Sequence, residues 1–144
     1  MLKKDNTSIY IQDALHKKKV LKLKDCRAWL KSIILKNSII TIRIVDEKES
    51  ESLNYTYRNK KKSTNILSFI ISENPLIGDI ILCHPVIKNE ARNQNKKIIS
   101  HYAHLLIHGY LHLLGYSHDK ELDADIMEKK EIQVLKKNGF QSPY

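Results

Sequence analysis

The 144 residues are enough for one compact domain with a real core and too few for two ordinary ones. No apolar run approaches the roughly 20 residues that span a bilayer and no signal-like order opens the chain, so a soluble, cytoplasmic protein that engages no membrane is expected. The formal net charge of +9 suits an anionic partner, while Cys26 and Cys83, far apart with no CxxC pair, argue against a disulfide scaffold or thiolate zinc site and read as two buried reduced thiols.

In chain order, TSIYIQ (7–12) alternates Ile9 and Ile11 with polar residues and predicts a strand. Basic, turn-like residues over 15–24 lead into a helix over 25–36 that buries Trp29, Leu30 and Ile33 at helical spacing. SIITIRIVD (38–46) is rich in β-branched residues and predicts a second strand, and the polar stretch 47–58 predicts an exposed helix ending near Arg58. A basic loop, RNKKKSTN (58–65), precedes a strand at 66–70, a turn at 73–78 and another strand at 79–83. Pro85 suits the first turn of a helix continuing through 86–97. Residues 99–114 are apolar on nearly every side and predict a central buried helix, which Gly115 can end in a left-handed turn. A last amphipathic helix over 122–136 is expected to send Ile126, Met127, Val134 and Leu135 to the core and its acids to water. Strands mixed with helices, without repeat or linker, imply a single α+β domain over 1–144: a small mixed sheet packed with helices around the central one.

The charge is unevenly placed. Residues 1–100 carry 20 Lys+Arg against 10 Asp+Glu, and residues 101–144 carry 5 against 6. A basic surface facing a chemical site suits a polyanion such as RNA, although 21 lysines against 4 arginines also fit a generally solvated lysine-rich surface.

HGYLHLLGYSHD (108–119) is the chemically loaded stretch. On a helix His108 and His112 stand one turn apart, about 6 Å along the axis, and lean onto one face. Gly115 supplies a break that can swing His118 back to the same ion, giving a zincin-like site. Three imidazoles leave the fourth tetrahedral position of zinc to water, the arrangement of a catalytic site. His104 and His112 are about 12 Å apart along a straight helix, too far to share an ion. His104 therefore reads as a core histidine, or one hydrogen-bonded behind the ligands to a carboxylate or carbonyl, and His16 and His84 read as ordinary.

The spacing HxxxHxxGxxH is shared with metzincin peptidases, whose signature has a glutamate directly after the first histidine. Here that position is Gly109, and a glycine inside a helix suggests that space beside the metal matters. Without the carboxylate, peptide hydrolysis loses its usual base. RNA cleavage needs less of the protein, because the 2′-hydroxyl can itself attack. Arg58, beside Lys60, Lys61 and Lys62, is the candidate cation for the phosphate, since guanidinium binds it bidentately and keeps its charge.

These residues place the sequence beside a known family: it resembles the YbeY endoribonucleases, bacterial rRNA maturation factors. The resemblance rests on HGYLHLLGYSH (108–118), LNYTYR (53–58), TNILSF (64–69) and GDIILC (78–83), with MEKKE (127–131) and GFQSPY (139–144) in the right order. It implies one divalent metal, usually zinc, on His108, His112 and His118, which with Arg58 form the catalytic set. It also implies single-strand-specific RNA cleavage tied to 16S rRNA 3′-end maturation and ribosome quality control, with the small ribosomal subunit as partner. Two positions depart from the family pattern: Ser117 stands where the family has aspartate and Ile70 where proline is common. Serine can only hydrogen-bond, so Asp119 either substitutes for the lost carboxylate or caps the last helix. An assembly factor of the small subunit with weak nuclease activity, and a metallopeptidase, are the competing readings.

Overall fold

A computed structural model describes residues 4–15 and 19–144. His16 and the core of the basic turn before the first helix lie outside them. The described residues form β1 (Ser8–Asp13), α1 (Leu23–Leu30), β2 (Ile39–Val45), α2 (Glu47–Arg58), β3 (Ile66–Glu73), β4 (Leu76–Cys83), α3 (His84–Asn93), α4 (Ile98–Leu113) and α5 (Glu121–Lys137). One mixed sheet runs in the order β1-β2-β4-β3, parallel except for the antiparallel β3–β4 hairpin. The expected α+β domain, small sheet and central helix are all present.

Alternation along the strands divides the core in two. Ile40, Ile42, Ile44, Ile80 and Leu82 face one side with Trp29 and Leu30 of α1 and the apolar residues of α4. Val45, Leu67, Ile81 and Cys83 face the other, packed with Leu53 of α2. Both cysteines are free and buried, and burial first, then Asp25, pushes the Cys26 thiol up to about 12.

The element boundaries differ from expectation where local hydrogen bonding offers an alternative to the helix. α1 begins at Leu23 and stops at Leu30 rather than reaching residue 36, although Trp29, Leu30 and Ile33 are buried as expected. The β-branched Ile33 and Ile34 crowd a helix, and the following amide finds another acceptor: Leu35 N–H donates to the Tyr110 hydroxyl at 2.9 Å. α3 ends at Asn93 rather than continuing to 97, because Asn95 adopts φ 55° and Lys96 N–H closes onto the Ala91 carbonyl at 2.8 Å. Asparagine tolerates this left-handed conformation as few other residues do. The turn expected over 73–78 shrinks to Asn74 and Pro75, with a cis peptide between them, and both flanking strands lengthen. In α5 the expected face is off by one residue. Met127, Val134 and Leu135 are buried, but Ile126 is 50% exposed and the acid Glu131 is fully buried.

The packing of α4 positions everything that follows. From His101 to Leu113 every residue is buried except His104, His108 and His112, which are half-buried. Each fully buried Leu or Ile contributes roughly 1.5–3 kcal/mol, so Leu106, Ile107 and Leu111 hold the helix rotation. The histidines at every fourth position form the one stripe left open.

Candidate metal centre

α4 ends as the glycine predicts. Gly115 takes φ +104°, its N–H donates to the His112 carbonyl at 3.0 Å, and Tyr116 N–H reaches the Leu111 carbonyl at 3.0 Å. This paired closure is the Schellman motif, which turns the chain back on itself. His118 returns to the other two: ring centroids lie 4.8 Å apart for His108–His112, 4.9 Å for His112–His118 and 5.6 Å for His108–His118.

One nitrogen from each of the three rings lies within 4.8 Å of the other two. A tetrahedral zinc ion with bonds of about 2.0–2.1 Å holds its donors about 3.3 Å apart, so small ring movements bring the trio onto one ion. The donor chemistry fits as well. Burial, reinforced by His108, His118 and Arg58 and opposed by Asp119, holds His112 below the usual histidine range and keeps its lone pair available.

Behind the trio lies a residue that the sequence reading assigned to solvent. Glu131 of α5 is fully buried and accepts a hydrogen bond from Nδ1 of His108 on Oε1. The Tyr144 hydroxyl donates to its Oε2 at 2.5 Å, and His104 Nε2 lies 3.6 Å from Oε1. Burial alone pushes the Glu131 carboxyl up, but the nearby His104 and the hydrogen bonds of His108 and Tyr144 outweigh it and hold the group at about 2. An ionised carboxylate on Nδ1 puts the His108 proton there and leaves Nε2 as the metal-facing lone pair, the usual carboxylate–histidine support of a metal site. A signal for Glu131 was present: it shares one helical face with Met127, Val134 and Leu135, and an acid on the apolar face of a helix needs a partner.

His104 stands behind the three histidines as expected, but its Nε2 meets the Tyr144 hydroxyl at 3.3 Å rather than a carboxylate or carbonyl, with the Glu131 carboxylate 3.6 Å away. His101 pairs instead with Glu90 at 3.0 Å, and His84 with the Tyr102 hydroxyl at 2.8 Å. A Cβ at Gly109 would meet Ile66 Cδ1 at 2.6 Å, Ser68 Oγ at 3.0 Å and Ile80 Cγ2 at 3.3 Å, so the glycine admits the sheet against α4, and Ile66 and Ser68 also line the cleft with the three histidines. Asp119 does not cap α5, whose N-cap is Lys120 without a side-chain bond; its N–H donates to Ser117 Oγ at 3.2 Å.

Arg58 joins the histidines. It lines a cleft of about 310 Å³ together with His108, His112, His118, Thr64, Asn65 and Ser68. The end of α2 aims it there. Asn59 adopts φ 56° and closes the helix directly after the arginine, while Asn54 Nδ2 ties the loop back through the Lys62 carbonyl at 2.9 Å. Lys60, Lys61 and Lys62 are exposed and none lines the cleft; Lys61 lies over the Tyr55 ring, 5.5 Å from its centroid.

Residues 4–139 match the family described as Endoribonuclease YbeY. A protein of that description from Nitrosomonas europaea is 47% identical over 119 residues, covering 82% of this chain and 73% of its own length. Another, from Cupriavidus metallidurans, is 44% identical over 124 residues, covering 84% of this chain and 63% of its own, so the chain spans less than two thirds of that relative. The solution structure of a Thermotoga maritima protein shares the fold, with a TM-score of 0.65 over 92% of both chains at 24% identity.

Proposed function

The chain belongs to the YbeY family of endoribonucleases, and from that premise we propose that residues 1–144 form one metal-dependent domain cutting single-stranded RNA. Its expected substrate is ribosomal RNA, at the 3′ end of 16S rRNA on the small subunit, with a role in ribosome quality control in the cytoplasm. The observation that carries the reading is the shared cleft: a guanidinium and three convergent imidazoles line the same 310 Å³ space.

His108, His112 and His118 would hold one divalent ion, zinc as the family resemblance implies although three imidazoles suit other metals as well, which when bound supplies a concentrated positive charge beside the scissile phosphate. Glu131 keeps His108 in the ligand tautomer. Arg58, which lines the same cleft, would grip two non-bridging phosphate oxygens and stabilise charge that develops on them. Lys60, Lys61 and Lys62 lie outside the cleft and attract the backbone of the strand leading into it. The peptidase reading has no support at the position it needs, since Gly109 faces β3 and β4. No helix among the described residues is long and apolar enough to cross a membrane.

The test is elemental analysis of the purified protein, followed by incubation with single-stranded RNA, duplex RNA and casein. One divalent metal per chain, lost in His112→Ala together with cleavage of the single strand, is the expected result. Casein cleavage, or undiminished metal in His112→Ala, would overturn the assignment.

A further inference from the structure

We propose that Tyr144 is a positioning residue of the metal centre: its hydroxyl, with His104, fixes the Glu131 carboxylate, which fixes the ring of His108. The inference rests on the three-histidine metal reading above.

After α5 the chain folds back. Gly139 takes φ +82°, Phe140 N–H closes onto the Leu135 carbonyl at 3.0 Å, and the Phe140 ring packs edge-on against Trp29 at 5.8 Å. That return carries Tyr144, beyond the residues 4–139 matched to the family, to the back of the histidine stripe. There the two carboxylate oxygens are divided: Oε1 receives His108 Nδ1 and Oε2 receives the Tyr144 hydroxyl. The hydroxyl in turn accepts from His104 Nε2, whose ring stands edge-on to Tyr144 at 5.6 Å. Glu131 has no exposed surface in the folded chain, so its two oxygens depend on these protein donors. A carboxylate that loses the partner on one oxygen turns to recover it, and the His108 ring bonded to the other oxygen turns with it.

The contribution of Tyr144 is confined to its hydroxyl. The residue is 60% exposed, and its ring adds little to the core. Removing the oxygen alone therefore separates an effect on the ligand from an effect on folding.

The experiment is zinc titration of the full metal-free chain in competition with a chromophoric chelator, for wild type, Tyr144→Phe, Glu131→Gln and the double variant. Partners behind metal-ligating histidines typically contribute 10–100-fold in affinity. Tyr144→Phe is expected at the low end, about tenfold weaker, with the melting temperature of the metal-free protein unchanged. In the Glu131→Gln background the same substitution should change affinity less than about twofold, because coupled groups are non-additive. Wild-type affinity in Tyr144→Phe overturns the proposal. So does an equal loss in both backgrounds, or a drop in metal-free melting temperature that accompanies the loss, since either marks a general structural role. A wild-type chain that binds no zinc sinks the metal reading itself and the inference with it. If Glu131→Gln does not fold, the affinity and metal-free melting temperature of Tyr144→Phe still decide.

Discussion

Arg58 is the residue at which the proposed attraction to RNA and the proposed catalysis can be told apart. It lines the histidine cleft while Lys60, Lys61 and Lys62 do not, so the two kinds of cation should fail differently. Arg58→Ala is expected to lower the single-turnover cleavage rate of a short single-stranded RNA by on the order of a hundredfold, the usual effect of losing one donor to developing charge. Affinity for a non-cleavable analogue should change only modestly, and metal content should stay intact. Arg58→Lys should recover part of the rate, because a point charge does not repeat the bidentate fork. Replacing the three lysines should instead weaken binding and flatten its salt dependence, by about 0.7 in logarithmic slope per phosphate contact with a single strand. Equal losses in affinity and efficiency with unchanged turnover would make Arg58 a binding residue. The convergence of the three histidines with Arg58 was legible because each rests on short-range pattern: two histidines one helical turn apart, a glycine stop, an arginine at a helix end. Glu131 was less so, because its partners His104, His108 and Tyr144 come from other parts of the chain, and periodicity marks an acid as out of place without saying what satisfies it.

At the scale of elements, the strand and helix sequence was legible from apolar period, and apart from the face of α5 the errors fall at ends. α1 and α3 stop early because a tyrosine hydroxyl on α4 and a left-handed asparagine take over the hydrogen bonding. Those are tertiary and conformational choices that a hydrophobic pattern does not encode. α2 was read to its last residue from the polarity of 47–58 and the basic run that follows it, and the structure adds an acidic N-cap, Asp46. The cap gives a prediction that links element to site. Asp46 Oδ1 accepts Glu49 N–H at 2.8 Å, and the helix is also tied to β2 by Arg43 Nη2 to Glu49 Oε1 at 2.9 Å. Asp46→Ala removes one of the few donors' partners at that terminus and should lower stability by about 1 kcal/mol in urea unfolding. Arg58 sits at the far end of the same helix, held by the Asn59 closure and the Asn54 tie, so cleavage by the folded variant should remain close to wild type. A large loss of turnover at unchanged fold would mean instead that the whole of α2 sets the arginine.

Across the molecule, the three convergent histidines come from two segments of the chain. His108 and His112 ride on α4, His118 on the turn after it, and through Glu131 the centre is tied to α5. The apolar core holds α4 to the sheet without help, and residues 114–120 are joined to it by the Gly115 closure and by Leu114 and Tyr116, which pack against the core. An ion bound only by the native chain stabilises it by mass action, about 2.7 kcal/mol at a free metal concentration a hundred times the dissociation constant. For a domain of this size that corresponds to a rise in melting temperature on the order of 10 °C. Melting with saturating zinc, then with excess chelator, should show that difference in the wild type and none in His112→Ala, whose curve should lie near the chelated wild type. The chelated protein should still melt cooperatively, because the core that fixes α4 contains none of the ligands. A chelator that leaves the wild-type melting temperature unchanged would mean that the three histidines, although within reach of one ion, do not bind one tightly enough to matter to the fold.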